Sequence, residues 1–170
     1  ETVHLNVYGP VDGPVLALDI VGDLGGFAFQ SLSTPCENSF ADSEGNRYIT
    51  CINADFSDLH PETVVVTPRG NWKGKTRGGL ILSKDYGRTF DRIPLPYGIS
   101  DYLDERFKLI ECPNVNSGWV ALSSDTKSIV YCVADGIDLF AKGVIVSNDC
   151  GKSFHKVKIY SYFLYSFLYL

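Results

Sequence analysis

Apolar and polar side chains alternate along Val3-His4-Leu5-Asn6-Val7, the pattern of a strand with one face buried. A second apolar stretch, Val15 to Val21, is broken by Gly22-Asp23-Leu24-Gly25-Gly26. Four short apolar runs follow: Tyr48 to Asp55, Thr63 to Thr67, Gly79 to Ser83 and Thr89 to Pro94. The same order then repeats as Gly118 to Ser123, Ser128 to Val133, Gly143 to Ser147 and Ser153 to Ile159. Loops separate these runs. Tyr8 to Pro14 is rich in Gly and Pro, Leu59-His60-Pro61-Glu62 reads as a turn, and Ser31 to Asn46 reads as a long polar surface loop. Sustained helical periodicity is absent, and only Ser100 to Leu109 has room for a turn or two of helix. The pattern predicts an all-β chain in four parts. Residues 1–46 hold a leading strand pair, a Gly-rich segment and a loop, residues 47–98 a first four-stranded unit, residues 99–160 a second, and residues 161–170 an apolar aromatic tail.

Each unit carries one motif between its third and fourth runs. The first copy is Ser83-Lys84-Asp85-Tyr86-Gly87-Arg88-Thr89-Phe90, and the second is Ser147-Asn148-Asp149-Cys150-Gly151-Lys152-Ser153-Phe154. Both read S-x-D-x-G-x-[ST]-F, the Asp-box pattern, after a Gly-led apolar run. In such a turn the carboxylate accepts backbone N–H bonds and the Gly supplies a positive φ. The Phe opens the next strand with a ring to bury between sheets. Ser83, Asp85, Gly87, Phe90, Ser147, Asp149, Gly151 and Phe154 are therefore expected to be structural, because their role repeats. The copies lie 64 residues apart, so 170 residues hold fewer than three such units. A closed propeller needs about four to eight blades. The expectation is a partial β-propeller of two to three four-stranded antiparallel blades, completed by further blades of a longer protein. A small β-sandwich is the alternative.

A net charge of −5 argues against nucleic acid as a main partner. Cys36, Cys51, Cys112, Cys132 and Cys150 include no C-x-x-C pair and the three histidines are scattered, so no metal or other cofactor is expected. Free thiols and one or two disulfides both remain open. The uncharged tail, Tyr160 to Leu170, is too short for a membrane-spanning helix, which needs about 20 residues. No membrane partner is expected. Gly74-Lys75-Thr76 lacks the first Gly of a phosphate loop, because Arg69 stands there.

The stretch from Tyr8-Gly9-Pro10 through Val21-Gly22-Asp23-Leu24-Gly25-Gly26-Phe27 resembles the xyloglucanases of glycoside hydrolase family 74. In that family a Gly/Pro loop and a strand precede a G-D-x-G-G-F-like segment, and Asp-box blades follow. Leu59-His60-Pro61-Glu62-Thr63-Val64 and Val120-Ala121-Leu122-Ser123-Ser124-Asp125 are similar to further family strands. The chain departs from the family after Phe27, continuing Ala28-Phe29-Gln30-Ser31 in place of polar, His- and Asp-bearing residues. The resemblance implies a secreted, inverting endo-β-1,4-glucanase of two tandem propellers, acting on a β-glucan polysaccharide such as xyloglucan. It implies one catalytic carboxyl at Asp23, with the general-acid role favoured, and a second from an upstream propeller. The isolated chain is then expected to be inactive. Gly25, Gly26 and Phe27 would lie against the sugar. Without the resemblance, Asp before Gly-Gly reads as a turn residue bonding its own backbone. Trp72, in a basic loop, is a candidate sugar platform, whereas Trp119 sits within a strand and is expected in the core. A rival reading is a non-enzymatic binding module, as in sortilin-type receptors, whose Asp-box propellers bind peptides.

Overall fold

The computed structural model describes residues 2–10, 12–36, 39–69, 78–96, 101–103, 109–111, 118–133 and 143–157. Among them are only strands, bridges and turns. Strands β1 (His4–Tyr8), β2 (Ala17–Val21) and β3 (Gly25–Phe29) form a leading antiparallel meander. Strands β4 (Thr50–Phe56), β5 (Val64–Arg69), β6 (Leu80–Ser83) and β7 (Asp91–Ile93) form one antiparallel blade. A hairpin of β8 (Asp101–Leu103) and β9 (Leu109–Glu111) follows. Strands β10 (Trp119–Leu122), β11 (Ile129–Val133), β12 (Gly143–Ser147) and β13 (His155–Lys156) form the next blade. The architecture is all-β, a partial β-propeller, as the motif repeat predicts.

Three local expectations change. The leading element is a three-stranded meander, not a strand pair. Its third strand contains the two glycines that read as a turn, and Gly25 to Phe29 pair along their length with Val21 to Ala17. The Ser31 to Asn46 stretch is not wholly surface loop. Ser39 bridges Phe27 and Phe40 is buried, with its ring centroid 4.8 Å from that of Phe90. Where Ser100 to Leu109 left room for a helix, the described ends are strands β8 and β9.

Two cores hold the sheets together. Leu18, Ile20, Phe40, Cys51, Val64, Val66, Ile81 and Phe90 fill the space between the meander and the β4–β7 blade. Val65, Leu80 and Ile93 meet Val120, Leu122, Ile129, Tyr131 and Ile145 between the two blades. Successive residues on β5 thus serve different cores: Val64 and Val66 face one way and Val65 the other. This is the period of two expected of a strand buried on both faces.

The pairing registers align the blades residue by residue. Val64 pairs with Ser83 and Ile129 with Ser147, the first residues of the two motifs. Following the ladders inward makes Asn53 equivalent to Trp119, Ala54 to Val120 and Asp55 to Ala121.

Candidate functional site

The Asp boxes are self-contained turns. In the first, the buried Ser83 hydroxyl donates to Asp85 Oδ1 at 2.7 Å and accepts from Gly87 N–H at 2.8 Å. Asp85 also accepts from the backbone N–H groups of Arg88 and Thr89 and from the Thr89 hydroxyl, the last at 2.6 Å. In the second, Ser147 and Asp149 make the matching bonds with Gly151 and with Ser153 in place of Thr89, while Lys152 N–H bonds to the Asp149 carbonyl. Tyr86 and Gly87, and likewise Cys150 and Gly151, have positive φ, at 65° and 80° and at 61° and 83°. The turn therefore needs two left-handed residues in succession, and Gly takes the second without a Cβ clash. The Ser153 hydroxyl and N–H, then Ser147, pull Asp149 down to about 2. Burial pushes Asp85 up, but hydrogen bonds from Thr89, Ser83 and Arg88 outweigh it and leave its pKa lowered. Phe90 is buried, while Phe154 is half-buried against the second core.

A third turn of the same chemistry joins β10 to β11. Ser123 donates to Asp125 Oδ1 at 2.7 Å and accepts from Ser128 N–H at 2.8 Å, and Thr126 has φ 64°. It lacks the Gly, so the motif does not reveal it, although Ser123-Ser124-Asp125 carries the same S-x-D start.

Asp23 belongs to a different kind of turn. Gly22-Asp23-Leu24 links β2 to β3, and Asp23 sits at φ 65°. The hairpin tip rests on the start of β4. Asp23 N–H donates to Thr50 Oγ1 at 3.1 Å, and Gly25 N–H to the Ile49 carbonyl at 3.0 Å. Gly25 pairs in parallel with Thr50. Asp23 is exposed, and among the described residues its carboxylate accepts no hydrogen bond. It differs in this from the turn aspartates Asp42, Asp85, Asp125 and Asp149, whose carboxylates bond backbone N–H groups within their own turns. The turn-forming role weighed for Asp23 has no counterpart among these contacts.

The neighbouring glycines face inward. A Cβ on Gly25 would lie 2.5 Å from the Tyr48 carbonyl oxygen, and φ there is 84°. One on Gly26 would lie 2.5 Å from the Phe40 ring and 2.8 Å from the Asp19 carbonyl oxygen. Both glycines are buried, so the close approach they permit is to the protein's own backbone and to Phe40. Phe27 is half-buried beside Phe29, with centroids 6.2 Å apart. Trp72 lies outside the described residues, as do Cys112 and the tail. The residues flanking the Trp72 loop, Arg69 and Gly78, stand at the Thr50 end of the blade, the end that carries Asp23. Trp119 is 65% exposed, contrary to the core position expected. On β10 it alternates with buried Val120 and Leu122, so its strand position turns it away from the core.

At the opposite end of the leading meander, beside the first Asp box, lies a groove of about 520 Å³. Phe29, Ser31, Thr34, Cys36, Gly87 and Arg88 contribute to its walls. Asp23 is not part of it. Among the described residues no cluster of His, Cys, Asp or Glu could hold a metal ion, and Cys51, Cys132 and Cys150 are free thiols. Burial pushes the Cys51 thiol up.

A polar ladder that no local sequence pattern announces ties the meander and the two blades together along β1, β4 and β10. Asn53 donates from Nδ2 to Tyr8 Oη at 2.7 Å and accepts Val120 N–H on Oδ1 at 2.8 Å. Asp55 Oδ2 accepts Leu122 N–H at 2.7 Å, and the Ser57 hydroxyl donates to the Ser124 carbonyl. Side chains of β4, and of Ser57 just beyond it, thus satisfy the edge of the next blade, which has no strand partner on that side among the described residues.

No protein-family model and no curated protein matches the chain by sequence. Solved structures match the fold. The glycoside hydrolase family 74 xyloglucanase of Xanthomonas campestris superposes with a TM-score of 0.64 at 21% identity, over 94% of this chain and 19% of the enzyme. A family 74 enzyme of Niastella koreensis gives 0.61 at 18% identity, over 92% of this chain and 18% of its own. The chain thus spans about a fifth of the length of these neighbours, and shares with them the β-propeller fold.

Proposed function

We propose that this chain is the Asp23-bearing portion of an inverting endo-β-1,4-glucanase that acts on xyloglucan or a related β-glucan outside the cell. The observation that carries the reading is the Asp23 hairpin: an exposed carboxylate, unengaged among the described residues, on a tip braced by the next blade. Its fold neighbours include a xyloglucanase. Inverting hydrolysis needs a protonated carboxyl beside the leaving oxygen and an ionised one that activates water, about 6.5–9.5 Å apart. Asp23 supplies one of them, and an upstream propeller supplies the other across the substrate cleft. The general-acid role is assigned to Asp23. Gly25 and Gly26 serve this site indirectly, by letting the hairpin settle against Tyr48 and Phe40. Phe27 and Trp72 remain proposed sugar contacts.

The deciding experiment is Asp23→Asn in the full-length enzyme, assayed on xyloglucan. Turnover should fall by a factor of about 10²–10⁴ or more, with little change in melting temperature. Aryl glucosides with good leaving groups should rescue the variant, because they need no proton from the acid. Normal turnover of xyloglucan by Asp23→Asn would overturn the assignment.

A further inference from the structure

Resting on that reading of Asp23, we infer that Thr50 is a positioning residue for the reaction, acting through the Asp23 backbone. A non-glycine residue at φ 65° occupies a conformation that L side chains adopt sparingly, so its geometry persists only where neighbours hold it. Two hydrogen bonds do so here, and both come from the neighbouring blade. Gly25 N–H reaches the Ile49 carbonyl, a backbone contact that any residue at position 49 supplies. Asp23 N–H reaches Thr50 Oγ1 at 3.1 Å, and this contact depends on the side chain. Among the described residues, Thr50 is the one side chain that hydrogen-bonds to Asp23. Thr50 is itself fixed. It lies in β4, 9% exposed, paired with Gly25 on one side and Arg69 on the other.

The arrangement divides two tasks. The exposed carboxyl is left for chemistry, and the amide of the same residue is pinned to the adjacent blade. The peptide unit from which the carboxyl projects is thereby held across a blade boundary. Losing that anchor lets the hairpin tip relax, and a displacement of about 1 Å at a reacting group lowers turnover by up to about 10²-fold. Folding does not depend on the bond. The tip is exposed, so water takes up the Asp23 N–H when the hydroxyl is gone.

The test uses Thr50→Val, Thr50→Ala and Thr50→Ser in the full-length enzyme, beside Asp23→Asn. Thr50→Val and Thr50→Ala should lower kcat on xyloglucan by about 10- to 100-fold with KM within about twofold. Thr50→Ser keeps the acceptor and should restore kcat to within about threefold. Thermal melts should confirm that all three are folded. In the 170-residue chain, amide exchange at Asp23 should accelerate in Thr50→Val and Thr50→Ala and stay slow in Thr50→Ser. Wild-type kcat in Thr50→Val and Thr50→Ala, with Asp23→Asn inactive, would overturn the positioning role and leave the Asp23 assignment standing. An equal loss of kcat in all three variants would also overturn it, because the hydroxyl would then not be the cause. Full activity of Asp23→Asn would remove the assignment itself.

Discussion

The two Asp-box carboxylates differ from Asp23 in what they do for the fold, because they accept backbone N–H groups of their own turns. Asp149 is held at about 2 by the Ser153 hydroxyl and N–H and by Ser147. A carboxylate whose folded pKa lies below its unfolded value, about 3.9, supports the fold at any pH above that unfolded value. The support is lost as pH falls through the folded pKa. The Asp149 turn is therefore expected to hold at neutral pH and to loosen between about pH 4 and 2, and the Asp85 turn to weaken in the same direction as its carboxylate is protonated. Asp149→Asn has no such titration, so the gap in melting temperature between it and the parent should narrow across that window. A gap independent of pH would show that the hydrogen bonds seen at Asp149 do not favour its ionised form. The buried members of the motif act through packing. Phe90→Ala empties a site closed by Phe40 and should cost about 3–5 kcal/mol in denaturant melts, whereas half-buried Phe154 should cost clearly less. Gly26→Ala forces a methyl against the Phe40 ring and the Asp19 carbonyl, and overpacking of this kind costs about 1–3 kcal/mol.

At the scale of elements, the polar ladder makes a distinct claim. Asn53→Ala leaves the Val120 N–H without its acceptor in a buried place, at a cost of about 1–3 kcal/mol. Asn53 also donates to Tyr8, so Tyr8→Phe and Asn53→Ala should couple by about 0.5–3 kcal/mol in a double-mutant cycle. Strict additivity would mean that the Asn53–Tyr8 hydrogen bond contributes no coupling energy to the fold. The strands themselves were legible because their alternation and the Asp boxes fix which runs are third and fourth in each blade. The ladder was not, because Asn53 and Asp55 bond to residues 67 positions away and no local pattern announces such partners. Strand β3 was missed for a related reason. Gly25-Gly26 reads as a turn until Tyr48 and Phe40 are seen against it, where only a residue without Cβ fits. Trp119 was misplaced because a position within a strand was read as a core position, whereas β10 buries only Val120 and Leu122. As for the site, Asp23 was singled out by family resemblance and not by any residue pattern. Thr50, 27 positions away, was legible from neither.

The whole molecule presents one blade face without a partner among the described residues. By the strand registers, β10–β13 turn outward the positions that β4–β7 use to meet the next sheet. On the inner blade these are Asn53, Asp55, Val65, Thr67, Leu80, Leu82 and Ile93. On the outer blade they become Trp119, Ala121, Val130, Cys132, Val144, Val146 and Val157. The polar pair at the innermost strand has become Trp and Ala, so this face is more apolar than the one that forms the blade interface. Trp119 is 65% exposed and Val157 37%, and Ala121 and Cys132 are exposed as well. An apolar face of this kind seeks cover. In the 170-residue chain it should drive self-association, which sedimentation velocity over a tenfold concentration range reads directly. Trp119→Glu puts a charge on the face at its innermost strand, away from the second core, and should shift the distribution towards monomer with little change in melting temperature. Asn53→Ala weakens the internal blade junction instead, and should lower the melting temperature without that shift. Monodisperse monomer in the parent chain at high concentration would show that the face is already covered.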